Sequence, residues 1–224
     1  MNESYKLLFT KQDKVCIVLP SLELSEERLQ KRLTKSDYVI CFVNYSGFGS
    51  SDGSFPGKNI IENIDRLMEE VKKETGKRVT RIIGDSFGGL IALGLLSRYK
   101  KRYSKITIIL ISPLISFKRL DKNPKSPQSK EGFVRYLRDH ILIKEVNYTQ
   151  LSNLIDHIEI PEPFTEEISQ KNVVIYHSYG DKSISFVSSE KFSKKNKIKL
   201  VKLKGKAHSL INMDNKLLTK MFDS

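Results

Sequence analysis

Short, unbroken apolar runs recur along this chain, separated by stretches that keep helical spacing. "KVCIVLP" (14–20), "YVICFVNY" (38–45), "RVTRIIG" (78–84), "KITIILISP" (105–113) and "NVVIYHS" (172–178) have the length and β-branched content of strands buried on both faces. Between them, Ser25 to Leu33 reads as a short helix, and Asn59 to Glu74 as a longer one stopped by Gly76. In the longer helix Ile60, Ile61, Ile64, Leu67, Met68 and Val71 share one face. Glu62, Asp65, Glu69, Lys72 and Lys73 fall largely on the other, as in a helix that covers a sheet. A short helix after Ser183, the strand "KIKLVKL" (197–203) and a closing helix from about Ser209 complete the series. Strands and helices that alternate in this way predict an α/β fold with a mostly parallel central sheet and helices on both faces.

The pattern breaks at about Leu114. "SFKRLDKNPKSPQSKEG" (116–132) is polar, basic and twice interrupted by proline, and short helices are predicted at Phe133 to Ile143 and Tyr148 to Asp156. Phe133, Tyr136, Leu137, Ile141 and Leu142 recur at helical spacing. Residues 114–169 therefore read as a small helical lid inserted above the sheet, within a single domain spanning 1–224.

Composition changes this picture little. At 224 residues the chain suits one domain with a substantial core, and 39% hydrophobic and 29% charged residues are ordinary for a folded soluble protein. The start, "MNESYKLLFTKQDK", lacks a long apolar run, and no stretch reaches membrane-spanning length, so a cytoplasmic location is expected. Cys16 and Cys41 lie in strand-like runs where they could face each other, and they read as two buried thiols. No cysteine and histidine spacing suits zinc, and no cofactor is expected. The net charge of +13 raises the question of nucleic acid. Its densest part, Lys191 to Lys206, has eight lysines and no acid, but Ile198, Leu200 and Leu203 interleave them with partial strand alternation. Lysines on a solvated edge strand explain that pattern better than a nucleic-acid surface, since no aromatic platform or helix-turn-helix accompanies them.

The chemistry concentrates at "RIIGDSFGGLIALGLL" (81–96). A strand running directly into a helix puts Ser86 at a tight corner, with Gly84 and Gly88 where a β-carbon would collide. The Phe87 amide would then open the helix, where free N–H groups and the positive dipole end favour an oxyanion. A phosphate loop is the weaker reading, because no lysine follows the last glycine. A serine hydroxyl needs a base, and the base needs a third group to hold its tautomer. Asp181 follows the strand "VVIYHS" and His208 follows "KIKLVKL", so in a parallel sheet both leave carboxyl ends of strands, as Ser86 does. Asp85, beside the serine, reads as a surface or loop-bracing group and not as the acid. His177, inside a strand, reads as a core or supporting residue whose loss would cost stability more than chemistry. His140 and His157 fall in the insertion.

The order Ser86, Asp181, His208 resembles that of the α/β-hydrolases, and the resemblance spans nearly the whole chain. "GDSFGG" resembles the nucleophile elbow, "YHSYGDKSI" the strand and acid loop, and "GKAH" the histidine loop. "NYSGFGSSDGSFP", with Asp65 further along, is similar to the Tyr-x-Gly-x-Gly-x-Ser-x-Gly stretch of the monoacylglycerol-lipase-like and serine-aminopeptidase-like branches. After the first family strand His-Gly is expected, whereas this chain has Pro20, Ser21 and Leu22; Leu22 is the matching second oxyanion donor beside Phe87. The resemblance implies a serine esterase or thioesterase acting on a small-molecule acyl substrate, with Ser86 as nucleophile, His208 as base and Asp181 as its orienter. An acyltransferase or a peptidase could use the same triad, and a non-catalytic binding protein could keep the same fold. Oligomeric state is left open.

Overall fold

The computed structural model describes residues 3–48, 51–56, 59–115, 172–205 and 207–223. Within them seven strands form one sheet: β1 (Ser4–Leu8), β2 (Lys14–Leu19), β3 (Val39–Asn44), β4 (Arg78–Asp85), β5 (Thr107–Ile111), β6 (Val173–Ser178) and β7 (Lys199–Leu203). The order is β1-β3-β2-β4-β5-β6-β7. β1 is antiparallel to β3, and every other pairing is parallel. The predicted lid lies outside the described residues apart from Leu114 and Ile115, which are buried.

The helices are α1 (Glu26–Arg32), α2 (Ile60–Thr75), α3 (Phe87–Arg98), α4 (Lys100–Tyr103), α5 (Phe186–Asn196) and α6 (Asn215–Phe222). Two apolar layers sandwich the sheet. On one face Ile17, Leu19, Cys41, Val43, Ile82, Ile108 and Leu110 pack against α2 and α3, with Phe192 of α5 in the same layer. On the other face Cys16, Val18, Ile40, Phe42, Ile83 and Ile109 pack against Leu29 of α1 and Leu218, Met221 and Phe222 of α6. The central strands therefore need apolar residues on both sides, which is why their runs are unbroken.

α3 is the central covering helix. Phe87 through Leu96 are all buried, because the helix lies between the sheet and α2, close enough that a Cβ at Gly94 would sit 2.7 Å from Ile61. The amphipathic α2 shields it from outside and ends at Gly76, whose φ of +66° is the left-handed geometry expected of a helix C-terminus.

Tertiary placement refines three readings, of which the two buried thiols are borne out. Cys16 and Cys41 do lie on adjacent strands, but β2 and β3 pair with Cys16 opposite Ile40 and Ile17 opposite Cys41. The two thiols therefore point to opposite faces and cannot meet. Asp65 is buried and not on a solvated face: it accepts from Tyr103 Oη at 2.5 Å and from Arg102 Nη1 at 2.6 Å, tying α2 to α4. Asp85 is fully buried, which rules out the surface half of its reading. The short β1 gives no alternation strong enough to read from sequence; its pairing with β3 makes it a strand.

Gly88 is the tightest point of the fold, since a Cβ there would lie 1.9 Å from the Leu19 carbonyl oxygen and 2.5 Å from its carbon. Gly88→Ala is expected to cost at least about 3 kcal/mol, the upper range for overpacking. Gly76→Asn, at a site with nothing within 4 Å, should cost no more than about 1 kcal/mol. Urea unfolding of both variants checks this, and similar losses would contradict the packing described.

Candidate active site

Because β2, β4, β5, β6 and β7 run parallel and in level register, their carboxyl ends share one edge of the sheet. The loops leaving β2, β4, β6 and β7 carry Leu22, Ser86, Asp181 and His208. Ser86 turns the chain from β4 into α3 with φ 52° and ψ −108°, a conformation that L-residues rarely adopt. Hydrogen bonds hold it there: the Ser86 amide donates to Ile111 O at 2.9 Å, and its carbonyl accepts from Gly89 and Leu114 at 3.0 Å each. From Ile82 to Leu96, Ser86 alone is not buried.

The three residues meet. Ser86 Oγ lies 2.9 Å from His208 Nε2, and His208 Nδ1 lies 2.8 Å from Asp181 Oδ2. A carboxylate only accepts, so Nδ1 carries the proton and Nε2 is left to accept from the serine hydroxyl. Asp181 is itself held by the amides of Ser183 and Ile184, which donate to Oδ1 at 2.8 and 3.0 Å.

His177 completes the surroundings of Asp181. Its Nε2 donates to the Ile184 carbonyl at 3.2 Å and stands 3.1 Å from Asp181 Oδ2, while Nδ1 accepts from Ser189 Oγ at 2.8 Å. The position of His177 within β6 hid this contact, because only the turn at Gly180 folds Asp181 back onto a residue four positions earlier.

The two buried carboxyls differ electrostatically. Burial alone would raise the Asp181 pKa, but hydrogen bonds with His177 and His208, the His208 charge and the Ile184 amide outweigh it and hold the group well below the usual carboxylate range. Asp85 is pushed up to about 7 by burial, against opposing contributions from the His208 charge, Ser21 and the Leu210 amide. Ser21 faces this carboxyl, though its hydroxyl makes no aligned hydrogen bond. For His208, burial lowers the pKa, and the Asp181 hydrogen bond with the charges of Asp181, Asp85 and Glu23 more than reverses it, so the net direction is upward.

The Pro20-Ser21-Leu22 turn sits over the first turn of α3, since a Cβ at Gly88 would also meet Pro20 O at 2.9 Å. Tyr45 Oη donates to that same carbonyl at 3.1 Å. The Tyr45 and Phe55 rings pack against Phe87 at centroid distances of 5.5 and 5.3 Å. The tyrosine-glycine stretch after β3 thus supports both segments expected to supply the oxyanion donors. Among the described residues no group of three or more His, Cys, Asp or Glu side chains could hold a metal ion, and no helix is long and apolar enough to cross a membrane.

A folded-state pKa held down makes Asp181 stabilising above its unfolded pKa, and that stability is lost as pH falls below about 4. The stability gap between the wild type and Asp181→Asn is therefore expected to be full at pH 7 and to narrow below pH about 4. Urea unfolding at several pH values reads it, and a gap independent of pH would contradict the assignment.

The serine aminopeptidase family, S33, matches residues 24–129, a span that includes Ser86 but neither Asp181 nor His208. No curated protein matches the chain by sequence. Among solved structures, the chain is similar to Est1E from Butyrivibrio proteoclasticus with ferulic acid bound, at 19% identity, 97% of this chain, 91% of that one and a TM-score of 0.71. It is similar to a monoacylglycerol lipase from Paleococcus ferrophilus at 15% identity, 99% and 100% coverage and a TM-score of 0.69. It is also similar to a soluble variant of monoglyceride lipase from Saccharomyces cerevisiae at 17% identity, 98% and 87% coverage and a TM-score of 0.64. The chain therefore has the α/β-hydrolase fold, and its similarities fall in the branch of serine aminopeptidases, monoacylglycerol lipases and related esterases.

Proposed function

We propose that this protein is a serine hydrolase that cleaves a small-molecule carboxylic ester or thioester through an acyl-enzyme on Ser86. The observation that carries the reading is the continuous contact from Ser86 Oγ through His208 to Asp181, at 2.9 and 2.8 Å. Three loops far apart in sequence converge on that geometry, which a tight turn with an incidental serine would not require. Similarity to an esterase and to monoacylglycerol lipases supports an ester as substrate.

In this reaction Ser86 Oγ attacks the acyl carbon while its proton passes to His208 Nε2. Asp181 keeps Nδ1 protonated and offsets the imidazolium charge. The amides of Phe87 and Leu22 hold the oxyanion of the tetrahedral intermediate. Its collapse breaks the bond to the leaving alcohol or thiol, which takes the proton from Nε2. Water then gives a proton to His208 and attacks the acyl group, and a second collapse returns the proton to Ser86 and releases the acid.

A fluorophosphonate is expected to label Ser86 alone, and Ser86→Ala should abolish labelling with the fold intact. Undiminished labelling of that variant would sink the assignment. His208→Ala and Asp181→Asn should lower ester turnover by roughly three to four orders of magnitude, as for a general base and its orienter. Steady-state kinetics at matched folded fractions measure this. His177→Ala is expected to cost stability more than turnover.

A further inference from the structure

The loop that carries His208 must stay within hydrogen-bond reach of Ser86, yet Lys204 and Gly205 at its start lie on the surface. Its anchor comes after the histidine. Ser209 and Leu210 are buried, and the Leu210 peptide is gripped at both ends. Its N–H donates to Asp85, 3.3 Å from each carboxylate oxygen, and its carbonyl accepts from Arg32 Nη1. Arg32 also donates to Met213 O and, through Nε and Nη2, to Asn215 Oδ1 at 3.2 and 2.7 Å. Asp85 is the residue before Ser86, so one peptide bond separates the proposed nucleophile from the group that holds the histidine loop.

We propose that Asp85 is a positioning residue for the reaction: its buried carboxylate ties the His208 loop to the nucleophile turn and stabilises the imidazolium that forms on His208. The proposal rests on the serine-hydrolase reading. Asp85 is fully buried and makes no ion pair with Lys or Arg among the described residues, so its charge acts on neighbours through little water. Those neighbours are His208 from the loop after β7, Ser21 from the turn after β2, Tyr45 from the stretch after β3 and the Leu210 amide. His208 in turn faces Asp181, Asp85 and Glu23. Each of the pair biases the other: ionised Asp85 favours protonated His208, and protonated His208 favours ionised Asp85. With Asp85 raised to about 7 by burial, its charge changes near neutrality, and the His208 pKa is shifted upward in part by that charge. A protonated Asp85 would weaken its hold on the Leu210 N–H and remove the charge that supports the imidazolium.

Asp85→Asn tests this, because it removes the charge and keeps an acceptor oxygen for Leu210. The expected result is a fall in the His208 imidazole pKa by NMR, with a matching shift of the acid limb of fluorophosphonate labelling to lower pH. The plateau labelling rate should drop about tenfold, the equivalent of one charge-assisted hydrogen bond, and Asp85→Ala should drop further by loosening the loop. A merely structural role would lower the melting temperature without moving the His208 titration, and that outcome would overturn the proposal. If neither variant folds, the wild type decides: Asp85 carboxyl and His208 imidazole NMR curves should each show two mutually dependent steps, whereas two independent single-step curves would overturn the link. Failure of the wild type to react with any fluorophosphonate or ester would sink the serine-hydrolase reading, while the NMR titration would still judge the coupling of Asp85 to His208.

Discussion

Everything at the site depends on one strained corner. Ser86 holds φ 52° and ψ −108°, a sparsely populated conformation costing about 1–3 kcal/mol. It persists because the surroundings over-determine it. Gly88 lets α3 start against the carbonyl of Leu19, Gly84 lets the strand pass the Gly88 carbonyl, and Ile111 at the end of β5 and Leu114 just beyond it hydrogen-bond the Ser86 amide and carbonyl. A β-carbon at Gly84 would lie 2.7 Å from that carbonyl oxygen. The corner is what exposes one hydroxyl in the middle of a buried run and aims the first amides of α3 beside it.

The parallel sheet supplies the second constraint. With β2, β4, β6 and β7 leaving at one edge, their loops need travel only a short way to meet, and a long-range constellation follows from local chain directions. The loops are then fastened by different means. Asp181 is fixed by amides of its own turn and by His177. The His208 loop is fixed from outside, by Asp85 on one side and Arg32 on the other. The Pro20-Ser21-Leu22 turn is fixed by Tyr45, which also supports Phe87.

Two buried carboxyls flanking one histidine take opposite pKa directions for a clear reason. Asp181 receives short bonds from two amides and contacts two imidazoles, so its charge is well solvated by the protein. Asp85 receives only a long bond from the Leu210 amide, 3.3 Å from each oxygen, and contributions from Ser21 that do not offset its complete burial, so burial dominates. One carboxyl is thereby a constant anion at ordinary pH, and the other changes charge near neutrality.

Much of this was legible in the sequence. Unbroken apolar runs specified β2 to β6, and the Asn59 to Glu74 pattern specified α2 to within a residue, because two-sided burial and helical amphipathicity leave strong periodic signals. The elbow and the order of Ser86, Asp181 and His208 were legible too, since each follows a recognisable strand. What only the tertiary structure decided is how residues with ambiguous local patterns are partnered. β1 becomes a strand by pairing with β3, Asp65 turns inward to meet Tyr103 and Arg102, and the two cysteines part to opposite faces through β2–β3 register. Asp85 and His177 carry no periodic signal of their own; their contacts lie across loops more than a hundred residues apart, or across one tight turn. Periodicity reports whether a position faces inward, but hydrogen-bond partners are chosen by chain packing in three dimensions.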